Sequence, residues 1–316
     1  MSSPRQVLEA SAAAHQRGDN AALAVVVDTE GSTYVRAGAM ALFGARDGQV
    51  GWLSGGCLEP EIEARAQLAA AHARIEWMDI DTRDDEDLMG GSALGCRGRL
   101  HLALLPVASL VEWPALVRAW RNGEGALGLS IAGTGTVIGS VGAKRHTAHI
   151  DTASSSNRSW QVQLPPPRRI LVLGAGPETP TLLPLLRTLG WMSTLVERRP
   201  RWLPEARHAD ALIELAPESA LSACSGEAFH AGLVMHHNFE MDREALYALA
   251  ATTISFIGLL GPGRRREDLF RVLPASMHEA LLPRLHSPVG LKLGGQGPEA
   301  IALSIAAQLQ MHRFPQ

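Results

Sequence analysis

The chain has 316 residues, with 29 Lys plus Arg against 32 Asp plus Glu and a formal net charge of −3. At roughly 150 residues per domain the length predicts about two domains, and the near balance of charge excludes a general cationic face for nucleic acid. Three cysteines, Cys57, Cys96 and Cys224, are too few and odd in number for a disulfide framework and form no C-x-x-C zinc pair, so reduced thiols are expected.

In chain order, a helix is expected from Ser3 to His15, stopped by Gly18, and then a buried strand from Ala22 to Val27, where β-branched residues crowd a strand-length run. Short strands follow at Ala39–Phe43 and Val50–Leu53. A helix from Leu58 to His72 opens on Glu59, Pro60, Glu61 and Glu63, and strands at Ile75–Ile80 and Leu100–Leu105 complete an α+β unit over residues 1–107. Residues 108–167 read as a connecting segment with a helix at Pro114–Trp120, short Gly-punctuated strands, and a Ser- and Pro-rich linker ending at Pro167.

From residue 168 to 316 the pattern becomes strand, helix, strand: ILVLG, a turn at Gly174-Ala175-Gly176, a helix through Leu182 to Leu189, and MSTLVE ending at Glu197. This spacing predicts a Rossmann-like domain with a parallel doubly wound sheet, and the chain as a whole an α/β protein. Further strands are expected at Gly232–Met235 and Thr253–Ile257, with a helix at Asp242–Ala250 and a last helix at Pro298–Met311. No apolar run reaches the ~18 residues of a membrane helix. The N-terminal MSSPRQVLEA has no apolar core and reads as a helix start, which points to the cytoplasm.

Four segments could carry chemistry. In Ser54-Gly55-Gly56-Cys57-Leu58-Glu59, two glycines permit a tight turn with exposed N–H groups ahead of a helix, a setting for an anion or a thiolate; Cys57 is either a reactive thiol there or a small packed residue. In Leu94-Gly95-Cys96-Arg97-Gly98-Arg99, a second thiol lies beside guanidinium groups that could hold a phosphate or simply face water. Gly174 and Gly176, with Glu197 about 20 residues on, suit a pyrophosphate and a ribose hydroxyl, although Thr179 stands where a third glycine would be; Arg198 and Arg199 could take an extra phosphate. His236-His237-Asn238 ends a predicted strand at the edge where such sheets bind ligands, and either titrates there or bonds to backbone.

Taken together, GSTYVRAGAMAL (31–42), SGGCLE (54–59), LGCRGR (94–99), VLGAGPE (172–178), the 237–242 stretch, GLLGPGRRR (258–266) and HSPVGLKLGGQGPEAIALSI (286–305) resemble the XdhC/CoxI family of molybdenum hydroxylase accessory proteins. The resemblance implies a protein that binds the molybdenum cofactor, molybdopterin with its metal, supports its sulfuration and inserts it into xanthine dehydrogenase or a related hydroxylase, with a cysteine desulfurase as a further partner. It places Cys57 and Cys96 as metal contacts, and Gly55, Gly56, Arg97, Gly174, Gly176, Glu197 and His237 around the cofactor. Asn238 stands where relatives often carry an acidic residue. A chaperone, homodimeric as many oligomers are, is expected rather than a turnover enzyme. The rival readings are an NAD(P)-dependent oxidoreductase using Gly174, Gly176 and Glu197, and a cysteine nucleophile or sulfurtransferase using Cys57.

Overall fold

The first helix, α1 (Pro4–Arg17), carries proline where no N–H is needed and ends at Gly18, whose φ of +67° is the left-handed conformation a helix stop favours. Beyond it, β1 (Ala22–Gly31) and β2 (Met40–Phe43) pair antiparallel, followed by α2 (Glu59–Ala71), β3 (Glu76–Asp81) and β4 (Gly98–Pro106). In this computed structural model residues 3–81 and 98–314 are described, and they divide into two units, one ending at Pro167 and the other starting at Arg168.

The sheet of the first unit runs β2-β1-β4-β3 and is antiparallel throughout. The continuous apolar run of β1 is explained by its two buried faces. Leu23, Val25 and Val27 pack into a core with Val7 and Leu8 of α1, whereas Ala22, Ala24 and Val26 pack against Ile62, Ala66 and Ala69 of α2. Alternation along the strand thus serves two cores at once.

Residues 108–167 are not a connector. They form α3 (Trp113–Arg121) and the antiparallel strands β5 (Leu127–Ala132), β6 (Thr136–Val141), β7 (Lys144–His149) and β8 (Ser159–Leu164), in the order β7-β6-β5-β8. Trp113 and Trp120 of α3, with Leu129, Ile131 and Val162, share one core with α1 and β1. Glycine and serine punctuation marks the turns of that sheet, which composition alone could not separate from a linker. The strand expected at Val50–Leu53 is also absent. Only Val50 bridges Leu42, because Gly51 turns the chain at φ +99°, with its missing Cβ 2.7 Å from the Met40 carbonyl oxygen.

The second unit contains β9 (Arg169–Leu173), α4 (Thr179–Thr188), β10 (Met192–Val196), β11 (Ala211–Ile213), α5 (Pro217–Ala223), β12 (Phe229–Val234), α6 (Phe239–Ala250), β13 (Phe256–Leu259), α7 (Gly263–Val272), α8 (Ala275–Leu281), β14 (Leu285–His286) and α9 (Pro298–Arg313). Its sheet is parallel, in the order β11-β10-β9-β12-β13-β14. Counted within the unit this is 3-2-1-4-5-6, the doubly wound Rossmann order, whose crevice opens where the winding reverses, at the carboxyl ends of β9 and β12. Ile170 and Val172 of β9 pack with α4 and α9, and Leu171 and Leu173 with α5 to α8. Both faces are therefore covered, as the unbroken apolar strands require. Among the described residues no helix is long and apolar enough to cross a membrane.

Candidate functional site

Two glycine turns stand out, and each is built around a carboxylate of the chain itself. In the first unit Glu59, at the start of α2, is buried and folds back on the turn before it. Its Oε1 accepts the N–H groups of Leu53 (3.0 Å) and Ser54 (2.8 Å), and its Oε2 accepts the Ser54 hydroxyl. Ser54 Oγ in turn accepts the N–H groups of Gly56 and Leu58, each at 3.1 Å, and the Cys57 thiol at 3.7 Å. Burial alone would lift the Glu59 carboxyl, but the Ser54 hydroxyl and the two N–H groups outweigh it and hold the pKa below the ordinary range.

This network narrows one expectation. Four N–H groups of the turn, those of Leu53, Ser54, Gly56 and Leu58, are bonded to Ser54 and Glu59, and the carboxylate already sits at the positive end of α2. What the turn offers outward is the Cys57 sulfur, which is exposed, beside an exposed Trp52. Space is open around the Cβ position of Gly55, and Gly56, at φ +104°, is approached only by the Trp52 ring at 4.0 Å. Cys224 is buried, and burial pushes its thiol up. Cys96 and Arg97 lie outside the described residues.

The second turn, Gly174-Ala175-Gly176, leaves the carboxyl end of β9 at the reversal point of the sheet. Glu197, just past β10, is 1% exposed. It accepts five hydrogen bonds: from the N–H groups of Ala175 (2.8 Å), Arg198 (2.9 Å) and Arg199 (2.8 Å), and from two nitrogens of the Arg199 guanidinium (2.9 and 2.6 Å). Although burial opposes ionisation, the Arg199 guanidinium and those N–H groups keep the Glu197 carboxyl below the ordinary range. Arg199 also donates to the carbonyls of His236 (2.6 Å) and Ala175 (2.8 Å). The Glu197 carboxylate is thus engaged by the turn and by Arg199, and the Arg199 guanidinium is bonded within the same turn. Arg198 pairs with Glu244 at 2.6 Å.

Thr179, in place of the third glycine, accepts the Gly176 N–H at 2.9 Å. The two glycines make room for histidine. A Cβ on Gly174 would lie 2.5 Å from the His236 ring, and one on Gly176 would lie 2.7 Å from His237 Nε2 and 2.8 Å from Glu178 Oε2. His236 is buried; its N–H and Nδ1 both reach Asp242 Oδ1, and Asp242 Oδ2 takes the Arg265 guanidinium. His237 follows with φ +54°, its side chain 46% exposed and its Nε2 3.1 Å from Glu178 Oε2. The bond to Glu178 raises the His237 pKa against the opposing effect of burial. Asn238 caps α6, its Oδ1 accepting the Met241 N–H at 3.1 Å, a duty an acidic residue performs equally well.

The residues singled out by sequence thus fall into two groups in separate units, Gly55, Gly56 and Cys57 in one and Gly174, Gly176, Glu197 and His237 in the other. Glu178, Asp242 and Arg265 were not singled out as functional neighbours, and Ser54 and Glu59, named with the first turn, were not assigned their bonding to it. Acidic residues at the helix starts after each glycine turn were the available signal, since a carboxylate there can satisfy the N–H groups a ligand would otherwise meet. Among the described residues no group of three or more His, Cys, Asp and Glu is arranged to hold a metal ion.

Comparison with known proteins covers most of the chain. A model of the XdhC and CoxI family matches residues 14–79, and a model of the XdhC Rossmann domain matches residues 170–309. A curated relative from Bacillus subtilis, named as a probable xanthine dehydrogenase subunit, is 27% identical over 92% of this chain and 92% of its own length. An uncharacterised protein of Escherichia coli, YqeB, is 39% identical over 22% of this chain and 13% of its own length. Among solved structures, a xanthine dehydrogenase from Bacillus halodurans superposes with a TM-score of 0.76 at 27% identity, covering 97% of this chain and 95% of that one.

Proposed function

Because this chain belongs to the XdhC and CoxI family, we propose that it is an accessory protein of xanthine dehydrogenase or a related molybdenum hydroxylase, which binds the molybdenum cofactor, supports its sulfuration and inserts it into the enzyme. The observation that carries this reading is the end-to-end similarity to a relative whose name ties it to xanthine dehydrogenase. In this reading the cofactor is cargo, the protein works in the cytoplasm as a homodimer, and a cysteine desulfurase is the sulfur-supplying partner.

The thiol of Cys57 is the residue that would meet the metal. It is exposed, it stands on a turn fixed by Ser54 and Glu59, and a thiol suits a metal that is already bound to sulfur. Cys96 would be the second thiol and Arg97 its basic neighbour. The N–H groups of Leu53, Ser54, Gly56 and Leu58 are already bonded within the turn and are not the ones that would hold the phosphate of the cofactor. When bound, the cofactor supplies the molybdenum centre of the recipient hydroxylase. The chain's own contribution is to present sulfur, on a turn that is ordered before the cargo arrives.

The test is to purify the wild-type chain and Cys57→Ser from a host that makes molybdopterin and to measure molybdenum per chain. Loss of most of the metal in the variant, with an unchanged circular dichroism spectrum, is the expected result. Equal retention in the two proteins removes Cys57 from the role, and no molybdenum in either argues against cargo binding itself.

A further inference from the structure

A dinucleotide on a doubly wound sheet needs three things: free N–H groups on the glycine turn, empty space above the glycines, and an unengaged carboxylate at the end of the second strand. The second unit withholds each of them. The Ala175 N–H is bonded to Glu197, the Gly176 N–H to Thr179, and Glu197 itself is enclosed by Arg199 and three N–H groups. The space above the glycines is filled by the rings of His236 and His237 and by the Glu178 carboxylate. Carboxylates of the chain occupy the surroundings where phosphates would otherwise lie.

At this crevice the His237 side chain reaches solvent. His237 is half-exposed, and it is a non-glycine residue held in the left-handed region, a conformation that persists only where its surroundings over-determine it. Those surroundings are explicit. On one side Arg199 grips the His236 carbonyl and Asp242 grips the His236 N–H; on the other, Asn238 caps α6; below, Glu178 fixes the ring through Nε2. A buried carboxylate that orients one imidazole nitrogen leaves the other available to a ligand, the arrangement of a general base with its orienting partner.

We propose that the crevice at the carboxyl ends of β9 and β12 is a proton-transfer site built on His237 with Glu178 as its positioning residue, for a small ligand bearing a weakly acidic O–H, N–H or S–H, and that it does not bind a dinucleotide. With Nε2–H donating to Glu178, Nδ1 carries the lone pair. It accepts the proton of the ligand, the electron pair stays on the ligand atom, and the resulting imidazolium is stabilised by the carboxylate; the reverse step returns the proton. The charged groups facing the ring are Glu178 at the start of α4, Asp242 on α6 and Arg265 on α7.

The test uses the full chain and two probes. Calorimetry with millimolar NADH and NADPH is expected to show no binding, and saturable binding of either overturns the proposal. Diethyl pyrocarbonate, which acylates neutral imidazole, is followed by mass spectrometry across pH. His237 is expected to react while buried His236 stays intact. In Glu178→Gln the hydrogen bond that raises the His237 pKa is lost, so the midpoint of the His237 profile falls and reaction at pH 6 becomes faster than in the wild type. Should Glu178→Gln fail to fold, NMR titration of the His237 ring in the wild-type chain decides, with a midpoint above that of a free imidazole expected. An unreactive His237, an unchanged profile in the variant, or a wild-type midpoint at or below that of free imidazole refutes the assignment.

Discussion

Replacing Glu197 by Gln tests whether the carboxylate at the end of β10 belongs to the protein or to a ligand. Oε1 accepts from the Arg198 N–H, the Arg199 N–H and one Arg199 guanidinium nitrogen, and Oε2 accepts from the Ala175 N–H and a second guanidinium nitrogen. Whichever oxygen becomes an amide NH2, at least two donors then face another donor. An unsatisfied buried donor costs about 1–3 kcal/mol. Breaking a buried ion pair costs about 3–5 kcal/mol, here reduced because the Arg199 side chain is 25% exposed. A loss of about 3–4 kcal/mol follows, which for a unit of this size lowers the melting temperature of its transition by roughly 10 °C. Scanning calorimetry measures that transition. Amide hydrogen exchange at Ala175, protected in the wild type and fast in the variant, shows where the loss arises. Arg198→Ala, which removes a surface ion pair with Glu244, is the control and costs less than about 1 kcal/mol. A Glu197→Gln protein within about 1 kcal/mol of wild type, with Ala175 unprotected in both, would mean that the carboxylate is available to a ligand.

The other expectations concern the glycines, the thiol turn and pH. Gly174→Ala puts a Cβ 2.5 Å from the His236 ring at φ +91° and should cost more than about 3 kcal/mol, whereas Gly263→Ala, at an open position in the first turn of α7, should be neutral or stabilising by up to about 1 kcal/mol; urea midpoints compare them. Ser54→Ala removes the acceptor of the Gly56 and Leu58 N–H groups and of the Cys57 thiol, so about 2–3 kcal/mol is lost and alkylation of Cys57 by iodoacetamide accelerates; an unchanged alkylation rate would show that the turn does not restrain the sulfur. The Glu178–His237 pair has a carboxyl lowered and an imidazole raised from their ordinary values. The carboxyl contribution is present above its unfolded pKa and fades as pH falls through the folded one. The imidazole contribution is complete below its unfolded pKa and fades as pH rises through the folded one. The stability difference between wild type and Glu178→Gln is thus greatest between about pH 4.5 and 6.5 and shrinks on both sides, which denaturant melts across pH can check.

Much of the fold was legible because it rests on local pattern. The apolar runs of β1, β9 and β10, the Gly18 stop of α1, and the βαβ spacing around Gly174 depend on neighbouring residues and fix strands and helices wherever their partners lie. Edge strands of two and three residues, β14 and β11, are too short to carry a period and were not expected. Residues 108–167 read as a connector because turn-rich β structure and a linker share a composition; the shared core with α1 and β1 distinguishes them.

At the candidate sites the residue types were evident from sequence, but their duties were not. Gly-Gly before a helix predicts exposed N–H groups, yet whether those groups meet a ligand depends on where nearby carboxylates fold. Glu59 returns over five or six residues to its own turn, and Glu197 returns over 22 to Ala175. Likewise Gly174 and Gly176 announced close approach from sequence, and only the pairing of β9 with β12 brought histidine rings to them. Backbone conformation is a local property that composition and spacing record, whereas hydrogen-bond satisfaction is a contest among groups that only the folded chain brings within reach of one another.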